Sequence, residues 1–192
     1  MQLSVDSIVV AAMDILDRYG LADMTMRRVA STLEVAPGAL YWHIKNKQEL
    51  ISAIAERILD SADQADFDGA PAVDADHPAV TIARSCAALR QALLSHRDGA
   101  ELVMAAMTQP DSTLRPRIVD AFTEELVGIG LDAATAHAGA QALLHQVFGA
   151  TTFEQAALQN RELLSGDGAS TSGAETSDPG VRLLLDALTW RD

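Results

Sequence analysis

Apolar side chains recur at three- and four-residue intervals through most of this 192-residue chain, and that period commits it to helices. From Ser4 to Tyr19 the stripe is Ile8, Val9, Ala12, Ile15, Leu16 and Tyr19, with Ser4 placed to cap the start and Gly20 to stop the helix. Thr25 then precedes Met26, Val29, Ala30 and Leu33, a short second helix. Pro37 suits the first position of a third, running to about His43, and Asn46 suits the cap of a fourth over Lys47 to about Ala62. Two short helices joined by four residues, with an earlier helix packed across them, predict a helix-turn-helix.

The same period returns over Ala79–Ser95, Gly99–Thr108, Pro116–Ile129, Asp132 to about Leu158, and Val181–Trp190, each run bounded by Gly, Pro or Asp. Asp98, between His96 and Gly99, fits as the cap of the helix it precedes. Asp66–Pro78 and Ser165–Pro179 are rich in Gly, Asp, Ser and Pro and are expected as loops, the second a flexible one. Strand signals are scarce and aromatics make up only 4% of the chain, so the expected fold is all-α with a core of small and aliphatic side chains.

No apolar run reaches the roughly 18 residues that cross a bilayer, and the start lacks a basic, cleavable leader; a cytoplasmic protein with no membrane partner is expected. The single cysteine, Cys86, fits a reducing compartment and leaves no sulfur-rich metal site. His137 and His145 stand eight residues apart, too far for a helical metal pair, and no Ser or Cys is placed by a motif as a nucleophile. Hence no catalytic residue, metal or cofactor is expected, and the chain is not read as an enzyme.

Net charge is −13, which by itself argues against nucleic acid. The distribution of that charge points the other way. Residues 1–50 carry a net charge of only −1 and hold both lysines of the chain, Lys45 and Lys47, leaving −12 for the remainder. A near-neutral head on an acidic body offers a polyanion one face only. The lysines directly follow Tyr41, Trp42 and His43, three consecutive positions that cannot share one helix face, so at least one large ring points away from the core. Arg27 and Arg28, near the start of the second helix, add to the same edge.

Together, "TMRRVASTLEVAPGALYWHIKNKQELI" resembles the DNA-binding head of the TetR family of bacterial transcriptional regulators, and "ALLSHRDGAELV" is similar to the matching segment of the tetracycline repressors. The resemblance implies a helix-turn-helix DNA-binding domain over 1–46 and a ligand-binding and dimerisation domain over 47–192, with 47–66 as connecting helix and 165–179 as flexible loop. It implies a homodimer that binds a palindromic double-stranded DNA operator and is released by a small molecule, as a repressor. Thr25, Arg27, Arg28, Pro37, Gly38, Ala39, Tyr41, Trp42, His43, Lys45 and Lys47 would form the DNA-binding set. In it Arg27 would read a base edge, the type suited to guanine O6 and N7, and Lys47 and the Tyr-Trp-His run would meet phosphates and the groove edge. Where tetracycline repressors read bases with glutamine and threonine, this chain has Pro37 and Ala39, so the operator should differ. Pro37-Gly38 also suits simple helix initiation.

In the larger domain the positions that help hold a magnesium–drug chelate in tetracycline repressors look like Val103 and Phe153, neither able to ligate a hard cation, so the small-molecule effector is not expected to be magnesium–tetracycline. Leu59, Asp63, Ser85, Leu89, Val103, Met104, Met107, Phe122, His145, Phe148 and Phe153 are the candidate ligand-binding residues, a largely apolar wall with sparse polar partners. Ordinary core packing is the competing reading of each. The dimer surface is expected from Asp132–Leu158, where Ala134, Ala138, Gly139, Ala142 and Gly149 allow close helix approach, and from the leucine-striped tail. The alternative for the whole chain is a helical ligand-sequestering or protein-interaction module without DNA binding, favoured by its acidity.

Overall fold

The computed structural model of the chain describes residues 3–64, 74–165 and 178–190. Most of the two expected loops, residues 65–73 and 166–177, lies outside the described residues, as does the side chain of Asp63. The described residues form nine α-helices and no strand: α1 Val5–Tyr19, α2 Met26–Thr32, α3 Pro37–Leu40, α4 Lys47–Gln64, α5 Val80–Leu94, α6 Gly99–Met107, α7 Leu114–Gly128, α8 Ala133–Ser165 and α9 Pro179–Thr189. They gather into two compact units, one of Met1–Ser61 with Ala92–Ser112, the other of Ala62–Gln91 with Thr113–Asp192.

In the first unit local chemistry sets each boundary. Ser4 and Ser7 cap one another's backbone at the start of α1, and Gly20 ends it at φ +84°. Thr25 Oγ1 accepts the Arg28 N–H at 3.2 Å, fixing the start of α2. After α2 the Val35 N–H returns to the Ala30 carbonyl at 3.0 Å and the Glu34 N–H to Ser31 at 3.2 Å, a Schellman ending with Glu34 in the left-handed region at φ +56°. That reversal is the helix-turn-helix connection. The third helix is shorter than its pattern predicts: it ends at Leu40, whose carbonyl accepts both the His43 and the Ile44 N–H at 2.9 Å, so Tyr41–His43 form a turn. Asn46 Oδ1 then accepts the Glu49 N–H at 2.8 Å, and the Glu49 carboxylate takes the Lys45 N–H at 2.6 Å, opening α4.

The core of this unit is Ile8, Ile15, Leu16, Met24, Leu40, Ile44, Leu50 and Ile54, all essentially inaccessible to water; each contributes roughly 1.5–3 kcal/mol by burial. The α5–α6 turn docks on the head. His96 Nδ1 lies 3.1 Å from both Asp17 oxygens, and the Arg97 N–H donates to Asp17 at 3.2 Å. Asp98 does not cap α6 as its position suggests: it stands at φ +56° with no capping bond, and its carboxylate accepts the Leu21 N–H at 2.7 Å. A distant donor won over the local ones. Gly99 is required next to it, because a Cβ there would sit 2.3 Å from the Leu93 carbonyl oxygen. At the far end of α6, Gln109 donates to the Gln48 carbonyl and accepts from Ser52, tying α6 to α4.

In the second unit α8 packs against both α7 and α9. Phe122, Leu126, Leu143, Val147 and Leu185 are buried, and Gly139 lets Leu188 approach to where a Cβ would meet it at 3.0 Å. α7 begins two residues before Pro116, which is tolerated because first-turn N–H groups have no intrahelical partner. α8 runs past Leu158 to Ser165, where residues such as Gln159 and Arg161 carry the helix by propensity after the apolar period stops. Buried Arg90 on α5 is paired with Glu154 on α8.

Candidate nucleic-acid interface

The helix-turn-helix leaves its Tyr-Trp-His run and two of its cations, Arg27 and Lys45, exposed. Leu40 and Ile44 turn inward and are buried, so the three side chains between them face water: Tyr41 is 51% exposed, Trp42 90% and His43 is exposed. Burying a tryptophan is worth roughly 3–5 kcal/mol by area, and the fold forgoes that burial at Trp42. Arg27 and Lys45 are exposed and make no side-chain ion pair or hydrogen bond among the described residues. Arg28 is engaged within the unit: its guanidinium donates to Asp23 at 2.5 Å and lies 4.2 Å from the centroid of the Tyr19 ring. Lys47 is half-buried, its Nζ donating to the Leu21 carbonyl at 3.4 Å.

Thr25 has a capping task already, Pro37 and Gly38 are the exposed first two positions of α3, and Ala39 after them is half-buried. The structure thus brings Arg27, Tyr41, Trp42, His43 and Lys45 onto the accessible surface of one helix-turn-helix. Thr25, Arg28 and Lys47 each also make a hydrogen bond to a residue of the same unit.

The candidate ligand-binding residues are not brought together in one unit. Leu59, Val103, Met104 and Met107 belong to the first, and Ser85, Leu89, Phe122, His145, Phe148 and Phe153 to the second. Met104 and His145 are exposed, and Phe153 is 79% exposed. Ser85 Oγ donates to Glu125 Oε1 at 2.7 Å; burial raises the Glu125 pKa above the ordinary 4.5 and this hydrogen bond only partly offsets it. The second unit also holds a small cleft lined by Ala83, Cys86, Ala87, Arg90, Val147, Asp178 and Val181. Burial pushes the Cys86 thiol far up, and the nearby Glu125 and Asp178 charges push it further, so this cysteine is neutral. Arg90 and Asp178 were missed from sequence because their partners, Glu154 and Gln146, lie 64 and 32 residues away. Among the described residues no group of three or more His, Cys, Asp or Glu is placed to hold a metal, and no helix is long and apolar enough to cross a membrane.

Comparison with known proteins gives this geometry a family. Residues 8–54 match the model of bacterial regulatory proteins, tetR family, and residues 70–177 that of the tetracyclin repressor-like C-terminal domain. The class A tetracycline repressor protein from transposon 1721 of Escherichia coli is 30% identical over 97% of this chain and 81% of its own. The crystal structure of Mycobacterium smegmatis BioQ is 40% identical, with a TM-score of 0.79 over 97% of this chain and 98% of that one. A structure of BioQ with its natural double-stranded DNA operator is likewise 40% identical, with a TM-score of 0.74 over 99% and 100% of the two chains. With both parts of the chain matched and Arg27, Tyr41, Trp42, His43 and Lys45 of its helix-turn-helix exposed, the protein belongs to the TetR family and is a DNA-binding transcriptional regulator.

Proposed function

We propose that the protein is a cytoplasmic homodimeric repressor that binds a palindromic operator and releases it when a small, largely apolar molecule binds the larger domain. The 90% exposure of Trp42 beside Tyr41, His43 and Lys45 is the observation that carries the DNA-binding part. Arg27 reads a base edge; Tyr41, Trp42, His43 and Lys45 meet phosphates and the groove wall; Pro37, Gly38 and Ala39 face the bases; Thr25, Arg28 and Lys47 hold the motif in shape. A second copy supplies the second half-site, about 34–36 Å away. Exposed Phe153 and Leu183 on α8 and α9, with the small residues Ala134 and Ala138, suit that contact between copies.

The effector is proposed to be other than a magnesium–tetracycline chelate, since Val103 and Phe153 bring no metal ligand. Two measurements test the reading. The mass in solution should be twice that of one chain, and duplexes recovered by the protein from a random-sequence pool should carry an inverted repeat. Arg27→Ala should relax the selected sequence at one base pair and weaken binding by roughly tenfold or more. A protein that stays monomeric and retains no duplex at low salt overturns it.

A further inference from the structure

Five cations lie in residues 1–50, and three of them have partners inside the first unit. Arg18 pairs with Asp14 at 2.9 Å, and Lys47 Nζ donates to the Leu21 carbonyl. Arg28 is held twice: by the Asp23 carboxylate at 2.5 Å, and by the Tyr19 ring, whose centroid lies 4.2 Å from the guanidinium carbon. Among the described residues no other cation lies over an aromatic ring. An exposed ion pair alone is a weak restraint, but here the ring adds a cation–π contact to the same group. Arg27, one position earlier on the first turn of α2, has neither partner and stays bare. Asp23 itself stands in the turn between α1 and α2 with its side chain 60% exposed, and the cap of α2 is Thr25. Its bond to Arg28 is therefore the role its carboxylate has, on the edge of the head where the cations gather.

We infer that Asp23 is a brake on sequence-independent DNA binding: it holds the Arg28 guanidinium against Tyr19 and withholds that cation from phosphates. This rests on the DNA-binding reading above and adds to it a residue that limits affinity. Binding that ignores sequence grows with the number of phosphates a protein neutralises, since each one neutralised releases a counterion. A guanidinium already paired with a carboxylate neutralises none, and the carboxylate repels the backbone besides. Of two adjacent arginines, the duplex then meets Arg27 alone. Phosphate contacts carry no sequence information, so the brake acts on operator and other DNA alike.

The test is a double-mutant cycle of Asp23→Ala and Arg28→Ala, read as affinity against salt concentration. Two duplexes are used, one recovered by the parent from a random-sequence pool and a scrambled one of the same composition. Asp23→Ala should bind both about threefold or more tightly at low salt, and should steepen the slope of log affinity against log salt by about 1 for each protomer bound. On the Arg28→Ala background the same substitution should change binding by less than about twofold, because the cation it would release is gone. Asp23→Asn, which keeps an acceptor but not the charge, should act in the same direction and by less. Each Asp23 variant should melt within about 3 °C of the parent, as loss of an exposed pair requires. If Asp23→Ala and Asp23→Asn bind no more tightly than the parent, if the gain persists without Arg28, or if it is confined to the selected duplex, the inference is overturned while the DNA-binding reading stands. If the parent itself retains no duplex, both fall.

Discussion

The Leu21 N–H donates to an Asp98 carboxylate oxygen at 2.7 Å, a bond that joins the turn before α2 to the turn before α6 across 77 residues. Asp98 holds a left-handed conformation to make it. Asp98→Ala should therefore lose the acceptor, leave the Leu21 N–H unpaired and keep the strain, costing about 2–3 kcal/mol in urea unfolding. Asp98→Asn retains an acceptor and tolerates the conformation, so it should cost less than about 1 kcal/mol.

Glu34 takes the left-handed position of the Schellman turn between α2 and α3, where glycine is the usual occupant. Glu34→Gly should stabilise the protein by up to about 1 kcal/mol, read as a higher urea midpoint with an unchanged slope. A lower midpoint would mean that the Glu34 side chain makes a contact outweighing its backbone strain.

Trp42 and Lys45 are exposed and carry no packing or pairing of their own side chains, so their removal should leave stability within about 0.5 kcal/mol. DNA binding should respond differently to each. Trp42→Ala should weaken it by roughly tenfold, and Lys45→Ala should lower the slope of log affinity against log salt by about 1, as loss of one phosphate contact requires.

Glu125 has its pKa raised by burial, against a smaller opposite effect of the Ser85 hydrogen bond, and its Oε2 has no partner among the described residues. The folded chain therefore binds the proton more tightly than the unfolded chain. As pH rises from the ordinary glutamate value through the raised one, that proton is lost from the folded state last and stability falls. Glu125→Gln removes this dependence. Urea midpoints of the variant should match the parent below the ordinary glutamate pKa and exceed it at neutral pH.

Arg90 and Glu154 pair across α5 and α8 with the arginine almost wholly buried. Arg90→Met should cost about 2–4 kcal/mol by stranding the Glu154 carboxylate, and Arg90→Met with Glu154→Met should recover most of it. Thermal melts of the two single variants and the double variant give the coupling directly.

What could be read from the sequence alone were the features decided within a few residues. Ser4, Thr25 and Asn46 cap helices because their oxygens reach N–H groups three positions on, and Gly20 stops α1 because it alone adopts the required φ cheaply. The apolar period likewise placed the helices, and the outward rings follow from three bulky residues in a row between two buried ones. The extent of α3 and α8 was not legible: Tyr41–His43 are compatible with helix or turn, and the hydrogen bonds from His43 and Ile44 to Leu40 decided for a turn, while α8 continues through Gln159–Ser165 by propensity where the apolar period has stopped.

Long-range partners were settled only by the tertiary structure. Asp98 has the type and position of a cap, yet it serves Leu21; Arg28 resembles Arg27 in sequence, yet Asp23 and Tyr19 engage it and leave Arg27 bare. Met104, His145 and Phe153 read as pocket lining and stand exposed. The physical reason is the range of the forces: helix period and capping act over one turn of chain, whereas which face of a side chain meets water depends on segments tens of residues away that packing brings alongside.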